Sequence, residues 1–317
     1  MGKRPTLEKM VNRKNILVTG ATGFIGQYLV KNLSDDFNIF ILKKDTSDLS
    51  VLSEVAEKIN IYDVSDIEDL FKNNEVDVVL HLATFYTKFS GKDDVEKLIR
   101  SNIEFPSKLL EVMKKYNVTR FINTGTFFEY NHESFEKISE KTEKKPFNLY
   151  AATKLAFSNI CLHYALNEKF SIVDLKLFSP YGPKSRKLIS TLFESALENK
   201  SVSIYSGKQR LDWTYYKDII DGYRKSIEYI FSMDFGIETF NLGCGNAQSI
   251  KTIVEFIEDI TDKKINVLFH EESPDKEIFF SESDNGKSVR NLGWKPKYMI
   301  KEGLDDMYDE IKSNGNY

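Results

Sequence analysis

A tyrosine and a lysine stand four residues apart in NLYAATKLAF, residues 148–157, and that spacing can do acid–base chemistry. On a helix, positions i and i+4 share a face, so Tyr150 and Lys154 present their heads to the same side. A free phenol, with a pKa of about 10, is a poor proton carrier near neutrality. A cation held beside it favours the phenolate and brings proton exchange within reach of working pH. The same lysine has the length to hydrogen-bond a ribose, and Ala151 and Ala152 leave room for ligands. A third group is expected at the end of the strand before this helix, where FINTGTFFEY, residues 121–130, offers Thr126, with Thr124 as the alternative. A hydroxyl there donates a hydrogen bond to a carbonyl oxygen as charge develops on it. Tyr-x-x-x-Lys and strand-end threonines both arise by chance in many chains, so the set gains meaning only from its companions.

The companion is TGATGFIG, residues 19–26, which closes an apolar strand and opens a helix. Gly20 permits the tight turn off the strand, Gly23 lets the backbone approach a pyrophosphate, and Gly26 allows close helix–sheet packing. The amides of Thr22, Gly23, Phe24 and Ile25 then lie where a helix start holds phosphates. This order of elements marks a dinucleotide site. An acid usually follows about 20 residues after the glycines to meet the adenosine ribose. Here FILKKDTSD puts Lys43 and Lys44 at that strand end, which suits a 2′-phosphate and points to NADPH, with NADH possible. Solvated lysines, or Asp45 shifted by one register, are the alternatives. Asp63 and Val64, ending the third strand, are expected beside the adenine, although an acid capping the next helix looks the same.

These groups need a scaffold. Short β-branched runs at 15–20, 37–42, 59–64, 76–83, 120–125 and 170–178 alternate with helical patterns such as 94–116 and 149–166. That alternation predicts an α/β fold, a doubly wound parallel sheet of Rossmann type. After Phe178 a turn-rich junction, SPYGPKS, leads to a smaller C-terminal α/β lobe. We expect the dinucleotide domain over 14–178 plus about 212–246, and the lobe over about 179–211 plus 247–317.

Composition excludes several classes. The balance of 44 basic and 48 acidic residues gives no basic face, so nucleic acid is not an expected partner. Cys161 and Cys244 are too few and too far apart for a metal cluster or disulfide framework. His132, His163 and His270 lack companions at ligand spacing, so no metal is expected, and His81 is read as a strand-end support. No window has the roughly 20 apolar residues of a membrane span, and the charged start is unlike a signal peptide. A cytoplasmic protein is the expectation.

TGATGFIG, HLA at 81–83, Thr126, YAATK, YGP at 181–183 and NLGWKP at 291–296 together resemble the extended short-chain dehydrogenase/reductase superfamily, from about residue 14 to the C-terminus. HLAT, NTGTFF and the pairing of KEIFFS with NLGWKP are more narrowly similar to CDP-abequose and CDP-paratose synthases. The resemblance implies NADPH-dependent reduction of the 4-keto group of a nucleoside-diphosphate 4-keto-6-deoxyhexose, with Thr126, Tyr150 and Lys154 catalytic. It places Leu82, Ala83, Thr84 and Asn102 at the cofactor, although Asn102 equally suits a purely backbone-satisfying role. Thr84, Phe85, Thr126, Phe127, Phe128, Ser179 and Arg210 then face the substrate. It also implies a homodimer through the tyrosine-bearing helix and its neighbour. The alternatives are a 4-epimerase that keeps NAD bound and, more remotely, a non-catalytic redox sensor. Three departures stand out. Phe127 and Phe128 occupy the places of the Asp-Glu pair of 4,6-dehydratases, and phenylalanine cannot move protons. Leu211 fills the usual arginine slot, with Arg210 one place earlier, and Lys276 stands near the second arginine. Ser179 replaces the usual asparagine before YGP.

Overall fold

Strand β1, Asn15–Thr19, is buried on both faces, as a continuous apolar run in a parallel sheet should be. It belongs to a computed structural model that describes residues 13–87, 91–271 and 277–313. Helix α1, Phe24–Leu33, follows, then β2, Asn38–Lys43, and β3, Ile59–Asp63. Helix α2, Ile67–Asn73, leads to β4, Val78–His81. The region expected as one long helix is two, α3 (Lys92–Ile99) and α4 (Phe105–Lys115), joined by a π-helical turn at Arg100–Glu104. Then come β5, Arg120–Thr126, α5, Leu149–Asn167, and β6, Ser171–Leu177.

The rest of the chain is shorter-grained: β7 (Pro180–Tyr181), α6 (Leu188–Glu198), β8 (Ser201–Tyr205), β9 (Arg210–Leu211), β10 (Thr214–Tyr215) and α7 (Tyr216–Ile230). It closes with β11 (Gly236–Leu242), β12 (Gln248–Ser249), α8 (Ile250–Thr261), β13 (Asn266–His270), β14 (Phe280–Ser281) and α9 (Ile300–Ser313).

The seven-stranded sheet has the order β11-β6-β5-β4-β1-β2-β3. Pairings β1–β2, β2–β3, β1–β4 and β4–β5 are all parallel. Strand order reverses between β1 and β4, and in open α/β sheets ligands bind beyond the carboxyl ends of strands at such a switch. The fold is the doubly wound α/β architecture that the alternating pattern predicts. Among the described residues no helix is long and apolar enough to cross a membrane.

The chain forms two compact units, one comprising the chain through Gly125, Asn148–Asp174 and Ser226–Glu238, the other Thr126–Phe147, Leu175–Lys225 and Thr239–Tyr317. Residues 126–147, 175–178, 212–225 and 239–246 thus fall in the second unit. Hydrogen bonds tie much of this chain together. Ile138 exchanges backbone bonds with Glu282 (2.7 Å) and Asp284 (2.9 Å). Buried Asp212 accepts the amides of Cys244 (2.8 Å), Gly245 and Ser283 (both 2.9 Å). Asp218 likewise accepts those of Lys297 (2.9 Å) and Tyr298 (3.1 Å).

Candidate active site

The turn after β1 is built by exclusion. Gly20 has φ +72°, and a Cβ there would lie 2.5 Å from the Ala83 nitrogen. A Cβ on Gly26 would collide with the Gly20 carbonyl oxygen and the Ala21 backbone, so this glycine serves packing of α1 against its own turn rather than against the sheet. Gly23 caps α1 in extended conformation and is exposed, and its N–H bonds Gly20 O at 3.0 Å. The amides of Phe24, Ile25 and Gly26 precede the first intrahelical bond, from Gln27 N to Gly23 O. With Thr22 half-buried beside them, these amides form a backbone surface at the start of the helix. They fit a dinucleotide pyrophosphate.

Beneath the switch point, Thr19 Oγ1 lies 2.8 Å from His81 Nδ1 and accepts the Ala83 amide at 3.3 Å. Thr19 and His81 are direct partners in the β1–β4 register. His81 is fully buried among Phe105, Phe121 and Phe157. Burial, and secondarily the charge of Lys154, push its pKa well below the ordinary histidine range, so it is a neutral support. Its Leu82 and Ala83 neighbours start the loop above.

Helix α5 begins at Asn148, whose side chain accepts the Ala151 amide at 2.9 Å. That cap fixes Tyr150 in the first turn and Lys154 one turn on. Lys154 is 2% exposed, and Tyr150 is half-buried. Asn102 ties this helix to the loop after β4. Its Oδ1 accepts from the Phe85 amide (2.8 Å) and the Thr84 hydroxyl (3.0 Å), and its Nδ2 donates to Phe85 O and Thr153 Oγ1 (both 3.0 Å). Thr153 in turn donates to Tyr150 O at 2.7 Å. A primary amide makes four such bonds, and Asn102 makes all four within the protein, holding the loop after β4 to α5. Thr84 is likewise committed, through its hydroxyl, to Asn102. The π turn that carries Asn102 is an irregularity of the kind found at functional sites. Tyr86 sets its ring edge-on to Tyr150 at 4.9 Å. Phe85 packs under Lys97 at 5.8 Å.

At the adenosine end, Lys43 and Asp63 are register partners on β2 and β3 and form an ion pair. The hydrogen bond to Asp63 pushes the Lys43 pKa up. The Asp63 carboxylate does not cap the following turn, so the lysine is its partner. Lys44 and Asp45 are exposed, and Val64 is half-buried.

In the second unit, Thr126 ends β5 and caps the turn Phe127–Glu129. Its Oγ1 accepts the Phe128 amide at 3.3 Å. Phe127 is 4% exposed, stacked on Phe178 at 5.3 Å, and so belongs to an aromatic core with Tyr130 and Ile138. Phe128 is half-buried against Phe127 and Phe147. Leu211 packs on the same cluster. Strand side chains alternate, which turns Arg210 to the opposite face. There it donates to Ala247 O at 3.2 Å and lies over Phe280 at 6.0 Å. Ser179 has φ +25°, a strained value for serine. Lys276 lies outside the described residues. Sequence reading also missed the buried ion pair of Glu129 and Lys176. Its signal was a lysine inside the fully buried strand SIVDLKL. Among the described residues no three His, Cys, Asp or Glu side chains gather as a metal site.

Comparison with known proteins completes the description. A Bacillus subtilis (strain 168) protein named as an uncharacterized UDP-glucose epimerase is 30% identical, over 91% of this chain and 95% of its own. The CDP-abequose synthase of Salmonella muenchen is 23% identical over 94% and 97%. The crystal structure of UDP-glucuronic acid 4-epimerase from Bacillus cereus with UDP-glucuronic acid and NAD superposes with a TM-score of 0.85 at 28% identity, covering 95% of this chain and 99% of that one. The model of one family matches residues 16–243, across the glycine turn, the π turn and α5, and this chain belongs to that family, the NAD dependent epimerase/dehydratase family.

Proposed function

We propose that this protein moves a hydride at C4 of a nucleoside-diphosphate sugar, in the direction of reducing a 4-keto-6-deoxyhexose. The observation that carries the chemistry is that Tyr150 and buried Lys154 stand one turn apart on a helix capped by Asn148 and tied through Thr153 to Asn102. Gly20, Gly23 and the amides of Phe24–Gly26 would hold the nicotinamide dinucleotide, which when bound would supply the hydride. Tyr150 gives its proton to the sugar oxygen, and the Lys154 ammonium stabilises the phenolate left behind. Thr126 donates a hydrogen bond to the same oxygen. Its own lone pair already accepts from Phe128 N, which leaves the hydroxyl hydrogen to donate. Dehydration has no support here, because Phe127 and Phe128 cannot transfer protons.

NADPH is favoured by Lys43 and Lys44, which stand where an acid would meet the ribose of NAD. The CDP-abequose synthase relative supports the reductive direction. A second reading, 4-epimerisation with retained NAD, is supported by the printed names of the other relatives and by the Asp63 partner that already neutralises Lys43. A homodimer is part of the proposal. Ile99 on α3, with Leu162 and Leu166 on α5, are large apolar side chains left exposed on the helices involved.

The test is to incubate the purified protein with NADPH and the dTDP-, CDP- and GDP-4-keto-6-deoxyhexoses, following loss of NADPH absorbance and identifying products by NMR. Oxidation of NADPH coupled to a new 4-hydroxy sugar is the expected result. Protein that carries bound NAD and interconverts UDP-sugars without consuming NADPH would overturn reduction in favour of epimerisation.

A further inference from the structure

Immediately after β5 the second unit hides two opposite charges. The side chains of Glu129 and Lys176 are 0% and 2% exposed, and Lys176 Nζ lies 2.5 Å from Glu129 Oε2. The other carboxylate oxygen, Oε1, accepts the backbone N–H of Thr126 at 2.9 Å. Thr126 Oγ1 closes the turn by accepting the Phe128 amide, so Thr126 and Glu129 cap one another. Buried ion pairs seldom stabilise a fold better than apolar side chains of the same volume. A charged pair at this position is therefore poorly explained by stability alone. What it supplies locally is a carboxylate, a stronger acceptor than any neutral group, aimed at one amide and held from β6 by an ammonium.

We propose that Glu129, clamped by Lys176, is the positioning residue of Thr126. The inference rests on the reading of Thr126 as a hydrogen-bond donor to the sugar oxygen. Holding the Thr126 amide limits rotation about φ at that residue, and with Phe128 N on one of the two hydroxyl lone pairs, the hydroxyl hydrogen is kept off that direction before substrate arrives. Such preorganisation acts on the transition state more than on substrate binding. It predicts a loss in kcat with KM little changed.

The test uses matched pairs, because removing one charge alone strands the other in the interior. Glu129→Leu with Lys176→Met is an apolar pair that removes the acceptor. Glu129→Gln with Lys176→Met restores an acceptor without charge. Two readouts are taken: hydrogen exchange at the Thr126 amide, and kcat and KM with NADPH and CDP-4-keto-6-deoxyglucose. The apolar pair should speed Thr126 exchange and lower kcat by about 10–100-fold with KM within about twofold, and the Gln/Met pair should recover most of the kcat. In a Thr126→Val background the apolar pair should lower kcat by less than about twofold, since its route of action is already gone. Unchanged Thr126 exchange in the apolar pair, or a full additive loss in the Thr126→Val background, overturns the proposal. Should the apolar pair fail to fold, the Gln/Met pair, which strands no charge, takes its place: Thr126 exchange faster than in wild type, from the weaker neutral acceptor, supports the clamp, and unchanged exchange overturns it. A wild-type protein that turns over no 4-keto sugar would refute the proposed reaction, while the exchange data still decide the clamp.

Discussion

The turn that follows β1 and the turn that follows β5 both leave the same parallel sheet, and they are specified by opposite means. At Gly20–Gly26 the backbone itself fills the space, so that a single Cβ at Gly20 meets the Ala83 amide and one at Gly26 meets the Gly20 carbonyl. At Thr126–Tyr130 side chains do the specifying, through the mutual cap of Thr126 and Glu129, the Lys176 pair, and Phe127 stacked on Phe178. The first admits only glycine. The second admits any set of side chains that satisfies the same bonds, and so it is where a fold shared by many enzymes can change its substrate while keeping its cofactor.

The largest effect is expected at the residues to which the proposed reaction gives chemical roles. Tyr150→Phe removes the proton donor and should lower kcat by about 10³-fold with the fold intact, whereas Thr126→Val, which removes only a hydrogen bond to the oxygen, should cost about 10–100-fold. Steady-state kinetics with circular dichroism as the control measures both. Equal losses would erase the distinction between a proton carrier and a polarising donor. A Tyr150→Phe protein with full activity would remove the tyrosine from the chemistry.

Next in size is the backbone constraint itself. Gly26→Ala forces a Cβ into the Gly20 carbonyl and should destabilise the protein by about 3 kcal/mol, with loss of dinucleotide binding. Gly23→Ala, whose Cβ would approach only Gly20 O at 3.2 Å, should cost about 1 kcal/mol or less while still weakening the dinucleotide. Thermal unfolding with and without NADPH separates the two. A Gly23→Ala variant as unstable as Gly26→Ala would mean that the turn is held by something other than backbone exclusion.

This difference in means also governs what could be read from sequence. The glycine spacing, the alternation of strands and helices, and the tyrosine–lysine pair each express a rule of backbone geometry with a fixed period, and each has its element where the pattern puts it. The contacts of Asn102, Tyr86 and Glu129 are not periodic. Asn102 points inward only because a π turn rotates the chain between α3 and α4, and the apolar periodicity of 94–116 runs through that turn without a visible break. Glu129 follows two phenylalanines and reads as the polar end of a strand, yet it is the least exposed residue of its turn. Even the apolar strand β6 disguises two charges, Asp174 and Lys176, each answered by a partner distant in sequence: Asn123 at 2.9 Å and Glu129.

A pH measurement tests the support under the first turn. His81 is neutral in the folded protein because burial depresses its pKa far below the ordinary value, with Lys154 adding to the effect. In the unfolded chain it takes up a proton below about pH 6.5. The unfolded state therefore binds more protons as pH falls, and stability contributed above pH 6.5 is lost on acidification. Between pH 7 and pH 5 this group alone should remove about 2 kcal/mol, and a His81→Gln variant should show a flatter slope over that window. Urea unfolding at successive pH values reads the difference. Parallel slopes for the two proteins would mean that the imidazole is not held neutral beneath Thr19.

The smallest effect belongs to the second region and concerns strain rather than bonding. Ser179 joins β6 to β7 at φ +25°, on the positive side where L-residues pay about 1 kcal/mol and where asparagine is the best tolerated after glycine. Ser179→Asn should therefore stabilise by about 0.5 kcal/mol and raise the melting temperature by about 1–2 °C, while Ser179→Ala, without a polar group to bond locally, should lower it. The order Asn, Ser, Ala in thermal stability isolates the backbone term. Should Ser179→Asn instead leave stability unmoved and shift KM for the nucleotide sugar, the serine would be retained for its contact with substrate and not merely tolerated by the turn. That outcome would extend to Ser179 the rule seen at Glu129, that this half of the molecule is written in side chains.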